Sequence, residues 1–202
     1  MISRPNNWDN VQAFSDRQKL PVGAYVCYIK QAVVKENSSG NQLCVLFDIS
    51  AGEYAGYYDD DFKRNQRENK KWKGVLRLWL PKEDGSDKDE WAKSILKGFI
   101  AAVEESNRGY KWDWNEKSLA KKEIGILFRN EEWEYEGKTG WATRPFRAIS
   151  VDSVEDGSYA IPKDKPLKNE PTSVQVPTYD NYSVPGAQDF TMLENDDEQL
   201  PF

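Results

Sequence analysis

The chain has 202 residues, enough for one substantial core and a tail, and 31% of them are charged. It has no histidine and two cysteines, which removes the commonest general base, the commonest zinc ligand and any disulfide framework. The formal charge of −6 conceals a split: seven of the 34 acids and none of the 28 Lys and Arg follow Lys168, so a nearly neutral body carries an anionic tail.

Residues 1–19 are polar, with isolated Trp8 and Phe14, and are expected to form an N-terminal arm. After Pro21-Val22-Gly23 the run "AYVCYIKQAVV" and the alternating "LCVLFDIS" flank "NSSGN", which predicts a β-hairpin. Cys27 and Cys44 then lie on neighbouring strands as small apolar residues. "AGEYAGYY" is expected to turn, and residues 59–74 to mix loop with a short helix. In "VLRLWL" alternation places Leu76, Leu78 and Leu80 on one face and Val75, Arg77 and Trp79 on the other. Ser86 with Asp89, or Asp87 with Glu90, predicts a capped helix start, and Trp91, Ile95, Phe99 and Val103 predict its core stripe, ending near Gly109. "EIGILFRNEEWEY" and "WATRPFRAISV" around "EGKTG" predict a last hairpin. From Asn169 periodicity disappears among Pro, Ser, Thr, Asn and acids, so residues 169–202 are expected to be a disordered acidic tail. About five strands with one inserted helix over residues 20–168 suggest a five-stranded barrel of the oligonucleotide-binding (OB) type, mainly β.

Basic and aromatic residues cluster in two places. Lys70, Lys71, Trp72, Lys73, Arg77 and Trp79 form one group; Arg129, Trp133, Lys138, Trp141, Arg144 and Arg147 form the other. Single-stranded nucleic acid demands this pairing, with cations following phosphates and rings stacking on bases. Tyr25, Tyr28 and Lys30 on the first strand are further candidates. The plain alternative is that each Trp fills the core and each cation is solvated. Alternation sets Arg144 out of phase with Trp141 and Arg147, so one ligand is not expected to meet all of the second group.

Three enzymatic patterns fail on inspection. "GKTG" lacks the upstream glycine of a phosphate loop, since Glu132 stands there, and no helix follows. "EGK" has the spacing of a nuclease carboxylate and lysine but lies in a hairpin turn. "DDD" at residues 59–61 alternates in direction and reads as a solvated run. No enzyme, cofactor or metal is expected.

The chain ends "DDEQLPF". A free aromatic end buries nothing unless a partner takes it: Phe202 with its α-carboxylate makes a plug, Pro201 limits the entropy lost on docking, and Leu200 adds apolar surface. Asp196, Asp197 and Glu198 would steer this tip toward a basic rim. The ending resembles the acidic tip of bacterial single-stranded DNA-binding proteins, with Glu198-Gln199-Leu200 where the family has Asp-Ile. That resemblance implies recruitment of a helicase, polymerase, nuclease or recombinase. The body, through "LPVGAYVCYIKQAVVKENSSGNQLCVLFDISAGEYAGYY", "DEWAKSILKGFIAAV" and "WATRPFRAISVDSVEDGSYAIPKDKPL", is similar to a phage and mobile-element family inferred to bind single-stranded DNA. The expectation is therefore a protein that coats single-stranded DNA during replication or recombination in the cytoplasm of a bacterial host, without a membrane partner and with self-association left open. The competing expectation is an interaction module or inhibitor that binds no DNA.

Overall fold

Alternating apolar residues build the first hairpin. The computed structural model, which describes residues 3–10 and 19–167, pairs β1 (Gly23–Asn37) with β2 (Gly40–Ile49) around Ser38 and Ser39. β1 is long enough to serve two neighbours. Residues 23–28 pair with β4 (Glu123–Tyr135), and residues 27–37 pair with β2. Within the segment paired with β2 the register slips at Lys30, a bulge that bends the strand and adds twist. β3 (Val75–Trp79) extends the sheet beyond β2, and β5 (Lys138–Ile149) extends it beyond β4.

The result is one antiparallel five-stranded sheet in the order β3-β2-β1-β4-β5, and the described chain is mainly β. The sheet is open. β3 and β5 are its edges; their Cα atoms approach within 8 Å, and no ladder joins them.

Because register partners share a face, the ladders decide what is inside. Cys27, Ile29, Val45, Phe47, Leu76, Leu78, Ile124, Ile126 and Phe128 all fall on one face and are buried. Each such side chain contributes roughly 1.5–3 kcal/mol of burial. Cys27 and Cys44 are buried free thiols on adjacent strands, and burial pushes the Cys27 thiol well up.

Helix α2 (Asp87–Ser106) packs between the sheet edges. Ser86 Oγ accepts from Asp89 N at 3.2 Å, as a cap should, but the return half of the box is missing. The Asp89 carboxylate instead accepts from Lys82 N (2.7 Å) and Glu83 N (3.0 Å) and pairs with Lys93 at 2.9 Å. The buried stripe is Ala92, Leu96, Phe99, Ala102 and Val103, with Ile95 packed at its margin. Trp91 departs from expectation and is 47% exposed. At about 100° per residue, twelve residues place Trp91 roughly 120° away from Val103.

Helix α1 (Tyr57–Arg64) begins inside the stretch expected to turn, at Gly56 with φ 74°. Gly56 has no side chain to cap it, and Asp48 does so from β2. Its Oδ1 accepts from Tyr58 N and its Oδ2 from Asp59 N, both at 3.0 Å, while Oδ1 also takes Ile49 N. A five-residue helix α3 (Val151–Glu155) follows β5 and lies over Gly125, where a Cβ would come within 2.6 Å of Val154 Cγ2. Among the described residues no helix is long and apolar enough to cross a membrane.

Candidate nucleic-acid interface

Past Phe128 strand β4 leaves β1 behind, and β4 and β5 continue together as a two-stranded ribbon. Its tip, Glu136-Gly137, has φ of 49° and 74°, the pair of positive values that a tight two-residue hairpin turn requires. Along β4 the edge vacated by β1 is partly covered by Lys165, whose N–H donates to Asn130 O while its carbonyl accepts from Glu132 N, both at 2.9 Å.

The ribbon's register sorts the predicted residues. Leu127 pairs with Arg147, Arg129 with Arg144, Trp133 with Gly140 and Tyr135 with Lys138, so these stand on the face opposite the core. Trp141 pairs with Glu132 and stands on the other face. Strict alternation predicted Arg144 and Arg147 on opposite faces; the ladder corrects this. Phe128 pairs with Pro145 and Leu127 with Arg147, which leaves Phe146 without a partner. That extra residue is a β-bulge, and it returns Arg147 to the side of Arg144.

The first cluster comes from the α1–β3 loop and β3. Arg77 pairs with Cys44 and Trp79 with Gln42, so both lie on the outer face, as alternation predicted. α1 anchors the loop through Asp61, which pairs with Lys73 at 3.3 Å, and through Phe62, whose ring lies 5.7 Å from that of Trp72. Trp72 belongs largely to the fold. Its indole N–H donates to Phe47 O (3.0 Å) and Gly74 O (3.1 Å), and Lys30 Nζ stands 4.1 Å from its ring centre. Lys70 lies 4.5 Å from the Phe62 ring, and Lys71 and Arg77 are exposed without ion pairs among the described residues.

The two clusters line one wide, open groove that takes in residues from both faces of the ribbon. It is lined by every residue of the two clusters except Lys138, which sits at the ribbon tip. Thirteen Lys and Arg against seven Asp and Glu line it, so it is cationic although the body as a whole is near neutral. Trp91 and Phe146 also line it, and neither was predicted. A helical wheel in place of a fixed four-residue spacing would have turned Trp91 outward, and Pro145 inside a strand was a signal of the bulge that exposes Phe146.

The candidates on β1 divide otherwise. Tyr25 faces inward, edge-on to Tyr54 and Phe128 with centroids at 5.7 and 5.4 Å, and its hydroxyl donates to Pro21 O. Burial, then the neighbouring Tyr54, pushes its phenol up to about 12. Lys30 is paired with Asp59 at 3.6 Å and covers Trp72; Tyr28 lies 6.0 Å from its ammonium.

Two of the three acids in the acidic run are paired locally, Asp61 with Lys73 as above. Asp59 pairs with Lys63 and Lys30, and the Lys63 hydrogen bond holds its carboxyl below the ordinary range. Among the described residues no group of three or more Cys, Asp and Glu is arranged to hold a metal. The tip residues Asp196, Asp197, Glu198, Leu200, Pro201 and Phe202 lie outside the described residues. Compared with models of known protein families and with curated proteins, the chain matches none.

Proposed function

We propose that this protein binds single-stranded DNA along the groove between the α1–β3 loop and the β4–β5 ribbon, with little sequence preference. The observation that carries the reading is the convergence of two cation-and-aromatic clusters, distant in sequence, on one cationic groove. Cations on both walls suit a phosphate chain, and exposed indoles such as Trp91 and Trp141 suit unpaired bases. A duplex buries its base faces in its own stack and gains little from them.

The fold supports the same reading. An OB barrel runs β3-β2-β1-β4-β5 with β3 and β5 meeting to close it, and here those edges converge behind a bent β1 with α2 between β3 and β4 in sequence. We read the chain as an OB-like protein of the phage or mobile-element type that its sequence resembles, acting in replication or recombination. The acidic tip would recruit a helicase, polymerase, nuclease or recombinase.

The test is a titration of the full chain with an oligothymidine, following Trp emission across a salt series. Micromolar or tighter binding, quenching, and a log-log salt slope of several units are expected. Absence of quenching and of binding in dilute buffer would sink the reading and favour an interaction module acting through its tail.

A further inference from the structure

We propose that Phe146 is a base-stacking platform of the groove, and that the bulge in β5 serves to present it. The inference rests on the single-strand reading above and assigns one residue a role within it.

A phenylalanine in a strand normally points into the core or is covered. Phe146 is 36% exposed, because the slip between Leu127 and Phe128 leaves it without a register partner. Exposure alone would mean little, since single apolar residues are common at surfaces. The ring is also fixed. Arg129 Cζ lies 4.1 Å from its centroid, the geometry of a guanidinium laid over an aromatic face. Arg129 is itself held: its Nε and Nη2 both donate to Glu131 Oε1, at 2.9 and 2.7 Å, and its side chain is 13% exposed. A guanidinium so neutralised and enclosed is a poor phosphate ligand and a good backing for a ring. Arg129 is therefore a positioning residue.

Arg147 differs. It is exposed, has no ion pair among the described residues, and its Cζ lies 5.9 Å from the Phe146 centroid. One ring and one unneutralised cation thus stand side by side in the groove, which matches the base and the phosphate of a single nucleotide. Arg129 pre-orders the ring, so less freedom is lost when a base stacks on it.

The experiment compares the full chain with Phe146→Ala, Phe146→Leu and Phe146→Trp, titrated with oligothymidine and with an abasic strand of equal length over a salt series. Phe146→Leu keeps an apolar side chain of similar bulk without the ring, and thermal melts check that each variant is folded. Phe146→Ala and Phe146→Leu should weaken oligothymidine binding about 5- to 150-fold at every salt concentration, with the slope unchanged. They should leave binding to the abasic strand as in the wild type, and Phe146→Trp should retain oligothymidine affinity. Arg129→Gln should weaken oligothymidine binding less in the Phe146→Ala background than alone, because it acts through the ring. Arg147→Gln should lower the salt slope by about 0.7. Wild-type affinity for oligothymidine in folded Phe146→Leu would overturn the inference and leave the single-strand reading standing. Equal losses on both strands, or a reduced slope in Phe146→Ala, would do the same. A wild-type chain that binds neither strand would overturn both.

Discussion

Trp133 lies against Gly140, its register partner across the ribbon, so closely that a Cβ on Gly140 would stand 2.7 Å from Trp133 Cζ2 and 2.9 Å from Cε2. A glycine inside a strand has nothing of its own to pack, and the indole covers it. The obstacle to a larger residue is a movable ring rather than backbone. Gly140→Ala should therefore lift the indole without unfolding the sheet, at about 1 kcal/mol, or roughly 2–4 °C in Tm. The Trp133 emission should shift, read as the difference between Gly140→Ala and Gly140→Ala/Trp133→Phe, and oligothymidine affinity should fall toward that of Trp133→Ala. Unchanged emission would mean that the ring does not rest on Gly140.

Two buried carboxylates, Asp48 and Asp89, should respond to acid in opposite senses. Asp48 caps α1 from β2, and burial raises its carboxyl above the ordinary value of 3.8 although the N–H groups of Tyr58, Ile49 and Asp59 pull the other way. As pH falls through that raised value toward 3.8, the native state takes up the proton before the unfolded chain does, so this group's contribution to stability grows. The Lys93 hydrogen bond holds Asp89 below 3.8, so its contribution is present above that value and is lost as pH falls through the lowered one. Asp48→Asn, which retains a single acceptor oxygen for three donors, should cost about 1–3 kcal/mol in urea unfolding at neutral pH. The gap to wild type should widen for Asp48→Asn as pH falls toward 3.8 and narrow for Asp89→Asn as it falls below 3.8. Parallel changes in the two variants would contradict this assignment.

What could be read from sequence is what depends on neighbours along the chain. Strand alternation outside the bulges and the Ser86 N-cap are decided within a few residues and appear where expected. The last turn takes only Glu136-Gly137 of the five residues expected to turn, with Lys138, Thr139 and Gly140 in β5. The features missed are decided by residues far away. Asp48 reaches ten residues forward to cap a helix whose own N-cap is Gly56, and Trp72 finds its acceptor on Phe47 O, 25 residues back. The phase of Arg147 depends on a slip that exists only once β5 is laid against β4. The candidate groove was legible as a composition of cations and rings, and its walls came together only through the sheet order.

Four of the eight tryptophans form two exposed populations that spectroscopy can separate. Trp112 and Trp114, with ring centroids 5.0 Å apart and Trp114 72% exposed, sit in the loop after α2, away from the groove. Trp91 and Trp141, 47% and 48% exposed, line it. Iodide should quench both populations, whereas a bound oligothymidine should shield the second. Trp141→Phe should therefore reduce the DNA-induced change in emission, and Trp114→Phe should leave its absolute size intact. The reverse pattern would move the binding surface to the loop after α2.

The groove's cations should differ in the salt dependence they carry. Counterion release counts phosphates newly neutralised, about 0.7 of a log unit per contact on single strands. A cation already paired with a carboxylate has to give up that partner first. Lys73 is paired with Asp61 at 3.3 Å, whereas Lys71, Arg77 and Arg144 have no ion pair among the described residues. Replacing Lys71, Arg77 or Arg144 singly by Gln should lower the slope of log K against log salt by about 0.7 and reduce affinity most in dilute buffer. Lys73→Gln should change the slope less, because Asp61 already neutralises that ammonium before any phosphate arrives, so fewer counterions are released through it. If the Lys71, Lys73 and Arg77 variants keep the wild-type slope while Arg144→Gln lowers it, phosphate does not run along the α1–β3 side of the groove, and the ribbon alone would have to hold the strand.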